Sequence, residues 1–266
     1  MNELSSGWDC HVHIFDASAE AREGHYQPVD RPLAQIEAVA AAQGVHHLVL
    51  VQPSVYGADN SVLLRALGVT PGRHRGVVVL DDGVEDRELD AMHARGVRGV
   101  RLNLVSPVGE RTDPSARFAA IAPRLRRRGW HLQWYVGPEH LPQVAALHRD
   151  SGVTCVLDHL AGLSARVAAD DPAWEALRTL AAQGAWIKLS GWYRLDASEP
   201  YAEVLPQVRR LAGLFAERIV WGSDWPHTMF AAHAMPTYAS TWRPVKEALG
   251  EVAAETLRVR VPSIYL

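Results

Sequence analysis

This 266-residue sequence predicts a (β/α)8 barrel, residues 1–266 forming one domain, on three observations. Eight short runs rich in β-branched and apolar residues alternate with Ala-, Leu- and Arg-rich helical stretches, the pattern of a parallel sheet wrapped by helices. The length fits the roughly 250 residues of one such barrel, and no low-complexity linker divides the chain. No G-x-G-x-x-G turn follows the first run, which counts against the competing doubly wound open sheet.

In order, strands are expected at Trp8–His13, His46–Gln52, Gly76–Asp81, Val97–Leu104, Trp130–Val136, Val153–His159, Trp186–Ser190 and Arg218–Ser223. Helices are expected at Pro32–Gln43, Ser61–Leu67, Asp86–Arg95, Ser115–Arg128, Pro138–Asp150, Pro172–Gln183, Tyr201–Glu217, Thr241–Leu249 and Val252–Val259. Asp113-Pro114, Gly137-Pro138 and Asp171-Pro172 place proline at a first turn, where its missing N–H is harmless. Gly44, Gly96, Gly129 and Gly184 follow helix ends, where a left-handed residue closes the last turn.

Composition narrows the function classes. Hydrophobic residues make up 48% and charged residues 21%, ordinary values for a globule with a large core. A formal charge of −3 gives no basis for a nucleic-acid or anionic-membrane partner. No apolar run approaches the roughly 18 residues of a membrane span. The start, M-N-E-L-S-S-G-W-D-C, has no signal-peptide pattern, so a cytoplasmic location is the expectation. Cys10 and Cys155 sit in strand-like runs and are expected to be buried thiols, not a disulfide. A homo-oligomer is left open.

The stretch Arg218–His227, R-I-V-W-G-S-D-W-P-H, organises the site. An apolar strand ends at Gly222, Asp224 follows at its C-terminal tip, and Pro226 stops further ladder pairing. In a barrel, a carboxylate at that rim reads as catalytic. Residues two apart on a strand share a face, so His11 and His13 point together, with Asp9 below them. Arg101 and Asn103 face inward on the fourth strand, and His131, Gln133 and Tyr135 share a face on the fifth. The sixth ends in Asp158-His159, and the seventh offers Lys188 and Ser190, with Arg194 on the loop beyond. An inward arginine costs several kcal/mol if unpaired, so Arg101 must meet a carboxylate of the protein or of a ligand.

His11, His13, Arg101, Tyr135, His159, Arg194, Asp224 and His227 thus gather at one rim, more polar groups than stability alone requires. Lys188 reads equally as a structural ion pair with Asp9 or Asp158. His25, His46, His47, His74, His93, His140, His148 and His233 lack a spacing partner and are expected on the surface or in loops. Arg124–Arg128 is expected to be a solvated helix end, where cations suit the helix dipole.

D-C-H-V-H-I-F-D, G-V-R-G-V-R-L-N-L, V-L-D-H-L-A-G, W-I-K-L-S-G-W-Y-R and V-W-G-S-D-W-P-H, in this order, resemble the amidohydrolase superfamily and, within it, the lactonase branch. The resemblance runs from Trp8 to the closing V-P-S-I-Y-L and implies a barrel hydrolase. It implies that Asp224 activates water and that His11, His13 and His159 surround the lactone carbonyl. It further implies that Ser54, Arg101, Tyr135, Arg194 and His227 contact substrate. The branch's pyrone lactonase carries two further basic residues where this chain has Ser106-Pro107 and Leu160-Ala161-Gly162. Their loss favours a lactone with one acidic group, a sulfonated muconolactone or a sugar-acid lactone over a flat dicarboxylate, in aromatic or sugar-acid catabolism.

Many superfamily members complete a metal site with a strand-five histidine or a carboxylated strand-four lysine. Gln133 and Arg101 stand there instead, so no cofactor is expected. If zinc or manganese is bound, His11, His13 and Asp224 are its ligands. Three readings follow: metal-free hydrolysis of a lactone carrying a carboxylate or sulfonate, metal-dependent decarboxylation of an aromatic or muconate-type acid, and a non-enzymatic organic-anion binder.

Overall fold

The computed structural model describes residues 6–228 and 230–266. Eight parallel strands form one sheet in sequence order, closing to a (β/α)8 barrel. They are β1 (Gly7–Val12), β2 (Val45–Val51), β3 (Arg75–Val78), β4 (Val97–Asn103), β5 (His131–Tyr135), β6 (Cys155–Leu157), β7 (Trp186–Leu189) and β8 (Ile219–Trp221). Around them lie α1 (Leu33–Ala41), α2 (Ser61–Val69), α3 (Asp86–Ala94), α4 (Pro114–Arg128), α5 (Leu141–His148), α6 (Ala173–Ala182), α7 (Leu205–Phe215), α8 (Tyr238–Leu249) and α9 (Glu251–Val259).

Local chemistry sets the element ends. Asp113 caps α4 by accepting from Ala116 N at 2.9 Å, with Pro114 in the first turn, and Gly129 closes it in the left-handed region. β3 stops at Val78, short of the expected Asp81, because the Asn60 amide takes over the backbone of Val79. It accepts from Val79 N at 3.1 Å and donates to Val79 O at 2.8 Å.

Two apolar layers follow from strand alternation. Leu48, Leu50, Val78, Leu157, Ile187 and Trp221 face outward and pack with the helices. Cys10, Val49, Val51, Val77, Val156 and Val220 form a separate cluster that fills the barrel. Both cysteines are buried and free. Closure between β8 and β1 depends on Gly222, where a Cβ would lie 2.5 Å from that of His11. Beyond it, Asp224 N donates to His11 O at 2.9 Å and His13 N to Trp225 O at 2.8 Å.

Strict alternation fails in β1, which carries two register shifts. A register shift between Asp9 and Val12 sends Cys10 to the inner cluster and Val12 to the outer one, while His11 and His13 both reach the mouth. Asp9 is therefore not beneath the histidines. It accepts from His11 N at 3.1 Å and Ser223 N at 2.9 Å beside Tyr238 of α8, and burial lifts its pKa to about 6. His74 and His148 are likewise not surface residues. His148 accepts from Trp134 Nε1 at 2.8 Å and donates from Nδ1 to Val153 O at 3.0 Å, and His74 is buried between Leu48 N and Glu37. No helix among the described residues is long and apolar enough to cross a membrane.

Candidate active site

Two fully buried carboxylates anchor the C-terminal mouth of the barrel. Asp158, just past β6, binds cations on every side. Its Oδ2 accepts from Arg101 Nε at 2.9 Å and Gln133 Nε2 at 3.0 Å. Its Oδ1 lies 3.3 Å from His11 Nδ1 and 3.5 Å from Lys188 Nζ. Burial alone would raise this carboxyl, but His11, Lys188 and Arg101 outweigh that and hold it well below the usual range. Arg101 thus meets a protein carboxylate, and Lys188 pairs with Asp158, not Asp9. Lys188 also donates to Cys10 O at 2.9 Å and Gln133 Oε1 at 2.7 Å, and burial lowers its pKa.

Asp224, past β8, sits in the left-handed region at φ +60°, which swings its carboxylate into the mouth. Oδ2 accepts from Tyr193 Oη at 2.5 Å and Arg194 Nε at 2.7 Å, both from the 3-10 turn Trp192–Arg194 after β7. Oδ1 has no hydrogen bond. It faces three imidazoles, with His13 Nε2 at 3.4 Å, His11 Nε2 at 3.6 Å and His159 Nε2 at 3.9 Å. Burial pushes the Asp224 pKa up, but the Arg194 guanidinium and the neighbouring rings hold it well below the carboxylate range. Asp224 is therefore ionised at neutral pH with one oxygen free to accept a proton.

The histidines are oriented by their neighbours. His13 Nδ1 lies 2.7 Å from Val51 O, which can only accept, so Nδ1 carries a hydrogen. His11 Nε2 lies 3.3 Å from His13 Nε2, and its Nδ1 lies 3.3 Å from Asp158 Oδ1 and 3.4 Å from Lys188 Nζ. Burial, reinforced by Lys188, pushes the His11 pKa well down, and burial lowers His159 to about 4. His159 Nδ1 pairs with Ser190 Oγ at 2.9 Å. If that hydroxyl donates, His159 Nε2–H points into the mouth.

Above this floor opens a cavity of about 190 Å³, walled by His13, Ser54, Arg101, Tyr135, Arg194 and their neighbours. Ser54 Oγ accepts from Asn103 Nδ2 at 2.7 Å, and the Tyr135 ring stands edge-on to His159, with Arg101 5.2 Å from its centroid. Eight of the nine expected residues thus meet at one mouth. His227 stands apart: its ring lies edge-on to Tyr193 and lines a neighbouring cavity with Phe15, Tyr26 and Phe230. Burial lowers its pKa to about 4.

Sequence reasoning missed Tyr193, Tyr26 and His25. His25, in a loop as expected, and Tyr26 line the cavity, Tyr193 meets Asp224, and only the fold of the loops after β1 and β7 brings these three to the mouth. Tyr193 had one signal, its place directly before Arg194.

The mouth also contains donor sets that fit a divalent ion. His11, His13 and Asp224 form one, His11, Asp158 and His159 the other, each with its ligand atoms within 4.8 Å of one another. The unpartnered Asp224 Oδ1 suits the first set. Gln133, in contrast, is committed on both amide atoms.

Comparison with known proteins agrees with this architecture. Over 239 residues the chain is 31% identical to a 2-pyrone-4,6-dicarboxylate hydrolase of Comamonas testosteroni, covering 85% of this chain and 78% of that protein. It is 30% identical over 226 residues to a 4-sulfomuconolactone hydrolase of Rhizobium radiobacter, covering 83% and 76%. A solved Pseudomonas putida structure, provisionally named a 2-pyrone-4,6-dicarboxylic acid hydrolase, superposes with a TM-score of 0.85 at 32% identity. That match covers 95% of this chain and 94% of the other. The amidohydrolase family profile matches residues 8–250, and the chain belongs to the amidohydrolase family.

Proposed function

We propose that this protein hydrolyses an acidic lactone, with Asp224 as the base and without a metal. One observation carries the reading: an ionised, fully buried carboxylate with one oxygen locked by Tyr193 and Arg194 and the other free beneath an arginine-walled cavity. Lactone hydrolysis is also what the named relatives share. Arg194, with Nε on Asp224 and Nη2 on Thr228, keeps Nη1 for an anionic substituent of the ring, and Arg101, whose bond to Asp158 uses only Nε, keeps both terminal nitrogens.

A water in the floor would give its proton to Asp224 Oδ1 as its oxygen adds to the lactone carbonyl carbon. His159 Nε2–H would stabilise the oxyanion, an effect worth about 3–4 kcal/mol per donor in well-studied sites. Collapse breaks the ring C–O bond, and the departing oxygen takes the proton back from Asp224, giving the open hydroxy acid. In favour of a metal-free route, each carboxylate already has a cation of the protein beside it.

The convergence of His11, His13 and Asp224 favours a second reading, a zinc- or manganese-dependent decarboxylase of an aromatic or muconate-type acid. A metal held there would polarise a carbonyl and acidify a bound water. Turnover of pyrone carboxylates, muconolactones and sugar-acid lactones by chelator-dialysed protein separates the two. Hydrolysis of at least one is expected; activity that vanishes on dialysis and returns with metal would overturn the metal-free reading.

A further inference from the structure

We propose that a second cavity, joined to the first across Ser54, Arg101 and Asn103, binds a neutral, hydroxylated part of the substrate. This rests on the lactonase reading and narrows its substrate class to a lactone with one anionic group and a polyhydroxylated chain.

The two cavities are of equal size, about 190 Å³ each, and share those three residues as a common wall. The Asn103–Ser54 hydrogen bond forms a sill between them. Arg101 stands at the junction, and its terminal nitrogens have no hydrogen-bonding partner among the described residues. Both cavities therefore meet the same guanidinium.

Their chemistry differs. No carboxylate lines the first cavity, which presents Arg101 and Arg194; it is the anionic end. The second, at the ends of β2, β3 and β4, presents Arg22 and Arg117 together with Asp81, Asp82 and Glu110. Arg117 is ion-paired with Asp82 and Glu110 and donates to Leu80 O. Another carboxylate there would face three acids already present. A hydroxyl both donates and accepts, and so suits a lining of mixed sign.

Arg22 has a built seat on this cavity. Its guanidinium lies over Gly57, at φ +52°, where a Cβ would come within 2.3–2.4 Å of it. Only glycine leaves that space. Nη1 donates to Val108 O at 3.0 Å, and Arg22 makes no ion pair among the described residues. With one N–H on Val108 O, this exposed guanidinium keeps its remaining N–H groups for a ligand.

The test compares a hexaric-acid monolactone, which has one carboxylate and a hydroxylated chain, with a carboxymethyl-butenolide, which has one carboxylate and no hydroxyl. Wild-type kcat/KM should favour the first by at least about tenfold. Ala58→Leu, which fills the second cavity, and Arg22→Met, which removes its donors, should each lower that ratio by about tenfold or more. A general folding defect would lower both activities together and leave the ratio in place. A ratio unchanged in both variants, or a wild-type preference for the butenolide, overturns the proposal while leaving the lactonase reading intact. If Ala58→Leu fails to fold, the exposed Arg22→Met carries the test. If neither lactone is turned over, calorimetric titration with the open-chain hexarate decides the subsite. Binding weakened about tenfold in Arg22→Met supports it; no binding, or equal binding to wild type, overturns it.

Discussion

Asp158 and Asp224 stand at the tips of β6 and β8, equally buried and both ionised, yet their surroundings assign them different work. Asp158 has Arg101 and Gln133 on one oxygen and His11 and Lys188 near the other. It balances the buried cations of the barrel and has no face toward the cavity. Asp224 has its donors, Tyr193 and Arg194, gathered on Oδ2 only, so Oδ1 stays available. What separates a structural carboxylate from a candidate base here is the distribution of partners between the two oxygens.

Substitution should break this pair asymmetrically. Asp158→Asn leaves Lys188 and Arg101 without a counter-charge, so stability to urea should fall by about 3–5 kcal/mol. A loss below about 1 kcal/mol would mean that Asp158 is not the hub. Arg194→Met removes both the lock on Asp224 and an anchor for substrate. KM for an acidic lactone should rise by the equivalent of about 2–4 kcal/mol, with a much smaller change for a neutral lactone. Equal losses on both would make Arg194 purely structural. Tyr193→Phe deletes one of two donors to Oδ2 and should lower kcat by about tenfold with little effect on melting temperature. A larger melting shift than rate effect would count against that role.

A third histidine region sharpens the comparison through pH. His148 is fully satisfied as a neutral ring and burial lowers its pKa to about 4, whereas an unfolded histidine titrates near 6.5. Between those values the unfolded chain binds a proton that the folded chain refuses, so acidification favours unfolding. The contribution is intact above about pH 6.5 and lost as pH falls toward 4, by about 3 kcal/mol in total. His148→Gln should flatten the stability curve by about one proton's worth across that window. An unchanged slope would remove His148 as a contributor.

The barrel was legible because eight apolar runs, each followed by a helical stretch with proline or glycine at its ends, leave few other arrangements. The rim was legible from strand-tip residues and from the motifs of the amidohydrolase family. Asp9 was misplaced because one register shift in β1 reverses the face of every residue on one side of it. His148 was misread because its partners, Trp134 and Val153, come from β5 and the segment leading into β6, which spacing along a helix does not reveal. Tyr193 escaped notice because loop geometry, not periodicity, carries it to Asp224.

The proposed mechanism makes the free oxygen of Asp224 the base in a reaction that needs no metal. The most direct measurement is lactone turnover by chelator-dialysed wild type beside Asp224→Asn, on the best acidic lactone found and with melting temperatures recorded for both. Full turnover is expected in the dialysed wild type and a loss of at least about a hundredfold in the variant, with melting little changed. Turnover that disappears from the wild type on dialysis, or a variant within about fivefold of wild type, would contradict it.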